Sequence, residues 1–232
     1  MINWRYGEVS ARRHAWNGAL ELDVDVAGTL VRALAYPALT GAPEPGDRVL
    51  LNTTALDLGL GTGGYALVIA IPGRLPADAA GPGHLIKARY TPLQARLAGA
   101  DEPGSAWYET LREADDLAGM PVVLADLHSA LPAVLAGYYA ARPRDSSGKR
   151  PVVAYVMTDG GALPAWFSRT AAALRDAGWL AGIVTTGQAF GGDVEAVTLH
   201  SGLLAARHVL AAEAAVVAQG PGNLGTGTRW GF

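Results

Sequence analysis

The chain has 232 residues, half of them hydrophobic and 17% charged, with a net charge of -3 and no cysteine. That length allows one large domain or two small ones with a sizeable core. The missing cysteine excludes disulfides, thiolate nucleophiles and cysteine metal sites, and the mild charge offers no electrostatic footprint for nucleic acid.

The N-terminal run MINWRYGEVSARRHAW is polar and charged, unlike a secretory signal. From Leu20 to Val26 apolar and acidic residues alternate, which predicts a half-buried strand with Glu21, Asp23 and Asp25 facing water. Thr29 to Tyr36 is expected to return as a second strand after Gly28. Thr40 to Asp47 carries turn chemistry. Further strands are expected over Arg48 to Thr54, Tyr65 to Ile71 and His84 to Tyr90. Short strands at this spacing suggest a small antiparallel barrel or sandwich. LGLGTGG, Leu58 to Gly64, fits either an elaborate hairpin loop or a loop that touches a ligand or partner. Pro72 to Gly83 reads as a connection, and Ser105 to Leu117 as a helix capped by Ser105 and stopped at Gly119.

The second half has a regular beat. Val122 to Ala125, Val152 to Met157, Gly182 to Thr185 and Ala214 to Ala218 are apolar runs whose starts lie about 30 residues apart, near the minimal strand–helix–strand repeat. Helical patterns fill the gaps, with Ser129, Gly161 and Asp193 at their expected N-termini. Strands apolar on both faces and separated by helices form a parallel sheet with right-handed crossovers. Their C-termini then share one edge, where open α/β sheets bind ligands. DLHS, TDGG, TTGQAFGGD and QGPGNLGTGT fall there, whereas the helix-to-strand loops, such as RPRDSSGKR, carry ordinary solvated charge.

The chemistry at that edge has several readings. GPGNLG, Gly220 to Gly225, fits G-x-G-x-x-G after a strand; a dinucleotide fingerprint also needs a following helix and an acidic residue about 20 positions later, and with the given sequence ending at Phe232 neither test is available. Its amides could instead cradle an anion beside the helix N-termini. VLADLHSALPAVLAG resembles the opening of the metallophosphoesterases, which implies Asp126 and His128 as metal ligands. The later motifs of that family are absent, and a carboxylate and an imidazole do not complete a site, so no metal is expected. His128 could serve as a metal-free general acid or base, or bond a neighbouring loop while Ser129 caps its helix. Asp159 could position a substrate hydroxyl or a cation, or cap its own helix through the Gly161 or Ala162 amide. His200 and Ser201 fall inside a helix and are discounted as a triad; His208 belongs to that helix's last turn. Lys87 and Arg89 should project together, either toward an anion or toward water.

LNTTALDLGLGTGGY, GHLIKARYTPLQ, LHSALPAV, VAYVMTDGGALP, GQAFGGD, SGLLAARH and QGPGNLGTGTRWGF, in that order from residue 51 to the end, resemble a bacterial family of unknown function, domain of unknown function 3866. The resemblance implies no activity. It does imply a C-terminal segment beyond Phe232 that is missing or naturally short here.

The expected fold class is therefore α/β. A β-rich barrel or sandwich spans 1–90, a connecting segment with a helix spans 91–118, and a parallel, Rossmann-like βα domain spans 119–232. The expected site has Asp126, His128 and Asp159 as catalytic groups. Ser129, Thr158, Gly160, Gly161, Gln188, Gly191, Gly192, Gly220, Gly222, Asn223, Gly225 and Thr226 would contact a small polar or anionic ligand, phosphorylated ones included. Hydrolysis or group transfer would follow; no cofactor is specified. The rival is a non-catalytic assembly or regulatory module. Low surface charge favours a homodimer or higher homo-oligomer. No window of about 18 residues is apolar enough to span a membrane, and the cytoplasm is the compartment that remains.

Overall fold

The chain divides into two compact units, Met1–Ala79 and Ala80–Phe232. This computed structural model describes residues 1–142, 146 and 148–231. Pro143, Arg144, Asp145 and Ser147 of the expected polar loop lie outside the described residues.

The first unit contains β1 (Trp4–Trp16), β2 (Ala19–Val26), β3 (Thr29–Ala35), a short α1 (Pro37–Thr40), β4 (Arg48–Asn52), a short α2 (Thr54–Asp57) and β5 (Ala66–Ala70). They close into a barrel in the order β1-β2-β3-β5-β4. β3 and β5 are parallel; the other neighbours are antiparallel. That connectivity matches the five-stranded Greek-key barrel of the OB-fold. Val9, Leu20, Leu22, Val24, Val49, Leu51 and Val68 fill its interior.

β1 is a strand the sequence pattern hides. Its first half pairs with β4 and its second half with β2, with register shifts after Val9 and after Arg12. Each irregularity resets the inward-outward alternation, so the charged face looks like a tail. Gly7 permits the crossing: a Cβ there would lie 2.5 Å from Val24 and 2.8 Å from the Asp25 carbonyl. The acidic face of β2 also departs from expectation. Glu21 and Asp23 are buried. Tyr65 donates to Glu21 at 2.7 Å and Arg13 bonds Asp23 at 2.6 Å, so neighbouring side chains, rather than water, cover these carboxylates.

The expected barrel strand over His84 to Tyr90 belongs to the second unit. Only β6 (Leu85–Lys87) is extended, and it pairs with β7 (Ala95–Leu97) in a separate two-stranded sheet. The second unit continues with α3 (Tyr108–Arg112), β8 (Val122–Leu124), α4 (Leu131–Ala141), β9 (Val153–Thr158), α5 (Arg169–Asp176), β10 (Gly182–Thr185), β11 (Val194–Glu195), α6 (Leu199–His208) and β12 (Ala214–Gln219). The five long-range strands form one sheet in the order β11-β10-β9-β12-β8, and every neighbouring pair is parallel. Period-two alternation gives each strand two apolar faces. Ala154, Val156, Val184, Ala215 and Val217 pack against α3 and α6. Val153, Tyr155, Met157, Val216 and Ala218 pack against α4 and α5.

Helix starts differ from the sequence expectation in each case. Ser129 lies in a 3-10 turn, and Ala130 stands at the N-cap of α4 with no side-chain cap. α5 begins at Arg169, not near Gly161, because Ser168 caps it by accepting from the Ala171 amide. Asp193 caps nothing: it accepts from the Ile183 amide and pairs with Arg175. The true cap of α6 is Thr198, in a reciprocal box with Ser201. The helix around Ser105 is short, Tyr108–Arg112, and Trp107 precedes it without a side-chain cap. His208 does end α6, and its Nε2 lies 2.8 Å from the Asp116 carbonyl.

Candidate functional site

The carboxyl edge of the sheet gathers the polar loops of the second unit. Gln219, at the end of β12, donates to the Asp126 carbonyl after β8 at 3.1 Å. Its side chain also packs on Gly160 after β9, 2.7 Å from where a Cβ would stand. Asp159 in turn accepts from the Gln188 amide after β10 at 2.9 Å, so it does not cap a helix. Asp126, Asp159 and Gln188 therefore lie in one row along the edge.

Among the described residues the expected site residues divide between separate clefts. The larger, about 490 Å³, is lined by His84, Leu85, Ile86, Lys87, Arg89, Asp159, Gly187, Gln188 and Val197. The smaller, about 260 Å³, is lined by Leu127, His128, Ser129, Pro221, Gly222 and Asn223. The first uses loops after β9, β10 and β11; the second uses loops after β8 and β12. Between these halves the TDGG and QGPG loops meet backbone to backbone. A Cβ on Gly161 would lie 2.2 Å from the Gly220 carbonyl, one on Gly220 would lie 2.2 Å from the Ala162 carbonyl, and Ala162 donates to Pro221 at 2.9 Å. These glycines allow two loops to touch.

The remaining expected contacts distribute as follows. Thr158 ends β9, and its carbonyl accepts from Gly220. Gly191 packs under the Trp166 ring, 2.6 Å from a built Cβ, and its amide donates to Glu195. The Gly192 amide donates to Thr185. Gly225 and Thr226 lie in the exposed C-terminal segment, where the Thr226 amide donates to Gly231. Asp126 is exposed and lines neither cleft.

The wall of the larger cleft around Lys87 shows what a strand pattern alone could not. Lys87 is 2% exposed. Its three ammonium hydrogens match three carbonyls: Gly187 at 2.8 Å, Ala189 at 2.9 Å and Ala196 at 3.2 Å. Glu195 stands 3.5 Å away as counter-charge, and accepts from Thr185 at 2.8 Å and Gly191 at 2.6 Å. Burial lowers the Lys87 pKa and raises that of Glu195 despite their attraction, because removing both charges from water costs more than the pair recovers. Lys87 thus anchors β6 to the β10–β11 connection instead of facing water. Ala88, at φ 49°, ends the strand, so Arg89 follows outside it and is exposed, while it lines the same cleft as Lys87. Tyr90 is also left-handed, at φ 63°. Such dihedrals are uncommon away from glycine and concentrate at sites held for a purpose. Arg89 is fixed between them by its amide, which donates to the Gln188 side chain at 2.9 Å.

His128 is 8% exposed and sits inside a closed chain of donors. Tyr155 donates to the Gln219 carbonyl at 2.9 Å, so it accepts from His128 Nδ1, also at 2.9 Å. Nε2 is then the acceptor, and Ser168 donates to it at 2.7 Å while accepting from Ala171. Both ring nitrogens are thereby engaged within the core. Burial lowers the His128 pKa from its ordinary 6.5. The unfolded chain takes up the proton first as pH falls, so this contribution to stability is present above about 6.5 and is lost as pH drops toward the folded pKa. Urea unfolding across pH 7.5 to 5 is expected to show that loss in the native protein. His128→Asn should lower stability at pH 7.5 yet remove that component of the slope. An unchanged slope would contradict the neutral, buried assignment.

Among the described residues no group of three or more histidines or acidic side chains could hold a metal ion, and no helix is long and apolar enough to cross a membrane. The family described as Protein of unknown function (DUF3866) matches residues 32–232. The chain belongs to that family. The family match spans part of the barrel and all of the edge just described. No curated protein and no solved structure matches the chain.

Proposed function

We propose that this family member binds a small polar or anionic ligand in the larger cleft at the carboxyl edge of its Rossmann-like sheet. The observation that carries the reading is convergence. Arg89, Asp159 and Gln188 come from three separate segments and line one cleft with an apolar wall, as ligand sites of this size commonly do. Asp159 is the carboxylate there that could orient a substrate hydroxyl, should hydrolysis or group transfer occur. His128 has less support in that role, because its lone pair is already used by Ser168.

A thermal-shift screen of the whole chain against inorganic phosphate, nucleotides, carboxylates and divalent cations tests the reading. A ligand at about a hundred times its Kd adds about 2.7 kcal/mol to the native state and should raise Tm. Arg89→Ala should abolish the rise. No response to any probe, or responses unaffected by that substitution, would contradict it.

Self-association is a second reading, favoured by the edge of the sheet. Among the described residues β8 has a neighbour on one side only, and Leu124 and Leu127 are 76% and 40% exposed. Unprotected apolar edges pair with other chains. Leu124→Lys is expected to convert a dimer to a monomer in sedimentation velocity. A monomeric native protein would end this reading.

A further inference from the structure

We infer that the ligand of the larger cleft is a zwitterion with an apolar body, an α-amino acid with an aliphatic side chain being the simplest member. The inference rests on the cleft reading above and narrows it. Four charged or titratable side chains line the cleft: His84, Lys87, Arg89 and Asp159. Two of them are matched internally. Lys87 is saturated by three carbonyls and Glu195. His84 faces the buried carboxylate of Glu102 at 3.2 Å, which also accepts from the His84 amide. What remains is one cation, Arg89, whose guanidinium carbon lies 5.0 Å from the centroid of the exposed Tyr90 ring, and one anion, Asp159, which feels the Lys87 charge only at longer range. Among the described residues neither has an ion-pair partner.

The two remaining charges decide between ligand classes. Inorganic phosphate could satisfy Arg89 but would face the Asp159 carboxylate. A divalent cation could satisfy Asp159 but would face the guanidinium. Either would leave Leu85, Ile86 and Val197 uncovered, the last two 36% and 50% exposed. A carboxylate on Arg89 gains the paired hydrogen bonds that guanidinium geometry favours. An ammonium on Asp159 meets Oδ1, since Oδ2 already accepts from Gln188. The aliphatic part then covers the apolar wall. Arg89 lines the cleft from a backbone that is left-handed on both sides and tied by its amide to the Gln188 side chain.

Calorimetric titration of the full chain with four probes tests this: leucine, isoamylamine, 4-methylpentanoate and inorganic phosphate. Leucine is expected to bind, with each single-charge analogue at least tenfold weaker. Arg89→Ala should weaken leucine at least tenfold and leave isoamylamine unchanged. Asp159→Asn, which keeps an oxygen for the Gln188 amide, should weaken leucine at least tenfold and leave 4-methylpentanoate unchanged. Both side chains are exposed, and unchanged urea midpoints will establish that the variants fold. Phosphate or 4-methylpentanoate binding as tightly as leucine, still lost in Arg89→Ala, would overturn the zwitterion and leave the cleft standing. No binding by any of the four would also overturn it, and the wider screen then decides the cleft.

Discussion

Glu195→Ala is expected to lower the unfolding free energy by about 3–5 kcal/mol, as removal of one partner from a buried ion pair does. The cost arises from what is left behind. Lys87 remains 2% exposed with its charge uncompensated, and Thr185 and the Gly191 amide lose their acceptor. Lys87 also holds the carbonyls of Gly187, Ala189 and Ala196, so its displacement should open the floor of the larger cleft. Urea denaturation at pH 7 checks the number. Glu109→Ala provides the contrast: its pair with Arg112 is exposed, and such pairs contribute about 0–1 kcal/mol. Exchanging both buried partners for apolar residues, as Lys87→Met with Glu195→Leu, should recover part of the loss, because the desolvation cost disappears with the charges. A Glu195→Ala effect under 1 kcal/mol would contradict the anchoring role of the pair.

Gly161→Ala should cost about 3 kcal/mol, the upper end of the usual overpacking range. The obstacle is backbone on both sides: the Gly220 carbonyl at 2.2 Å and the Gly222 carbonyl at 2.8 Å from a built Cβ. Neither can swing aside as a side chain would. Relief requires the two loops to separate, which also breaks the Ala162 to Pro221 hydrogen bond. Gly137→Ala in the same unit should behave oppositely. It lies inside α4 with nothing within 4 Å of a built Cβ, and alanine there should gain about 0.5–1 kcal/mol from helix propensity. Equal effects at the two positions would mean that the loop contact is soft.

The legible and hidden parts of this fold separate along physical lines. β9, β10 and β12 announce themselves because strands buried on both faces must be apolar at every position. β11 does not: it has two residues, one of them Glu195, whose charge is tolerated only because Lys87 arrives from over a hundred residues upstream. The same distance hides the burial of Lys87. A strand pattern runs on through Arg89 to Tyr90, and nothing local reveals the left-handed Ala88 that ends the strand at Lys87. The helix starts escape the sequence pattern because Ser168 follows a 3-10 turn and Thr198 is boxed by Ser201 instead of the usual glutamate or glutamine. Asp159 and Gln188 were legible as edge residues from strand order alone. Their division from His128 and Gly222 into separate clefts depends on glycine contacts between two loops, which no period encodes.

The edge between β6 and the loops after β9 and β10 is expected to receive a ligand. Amide chemical-shift mapping of the isotopically labelled chain, titrated with leucine or with any probe that raises Tm, tests it residue by residue. The Arg89 and Gln188 amides, which are tied to the Gln188 and Asp159 side chains, are expected to move first and furthest while Ser129, Gly222 and Asn223 stay still. Shifts confined to Ser129, Gly222 and Asn223 would contradict it.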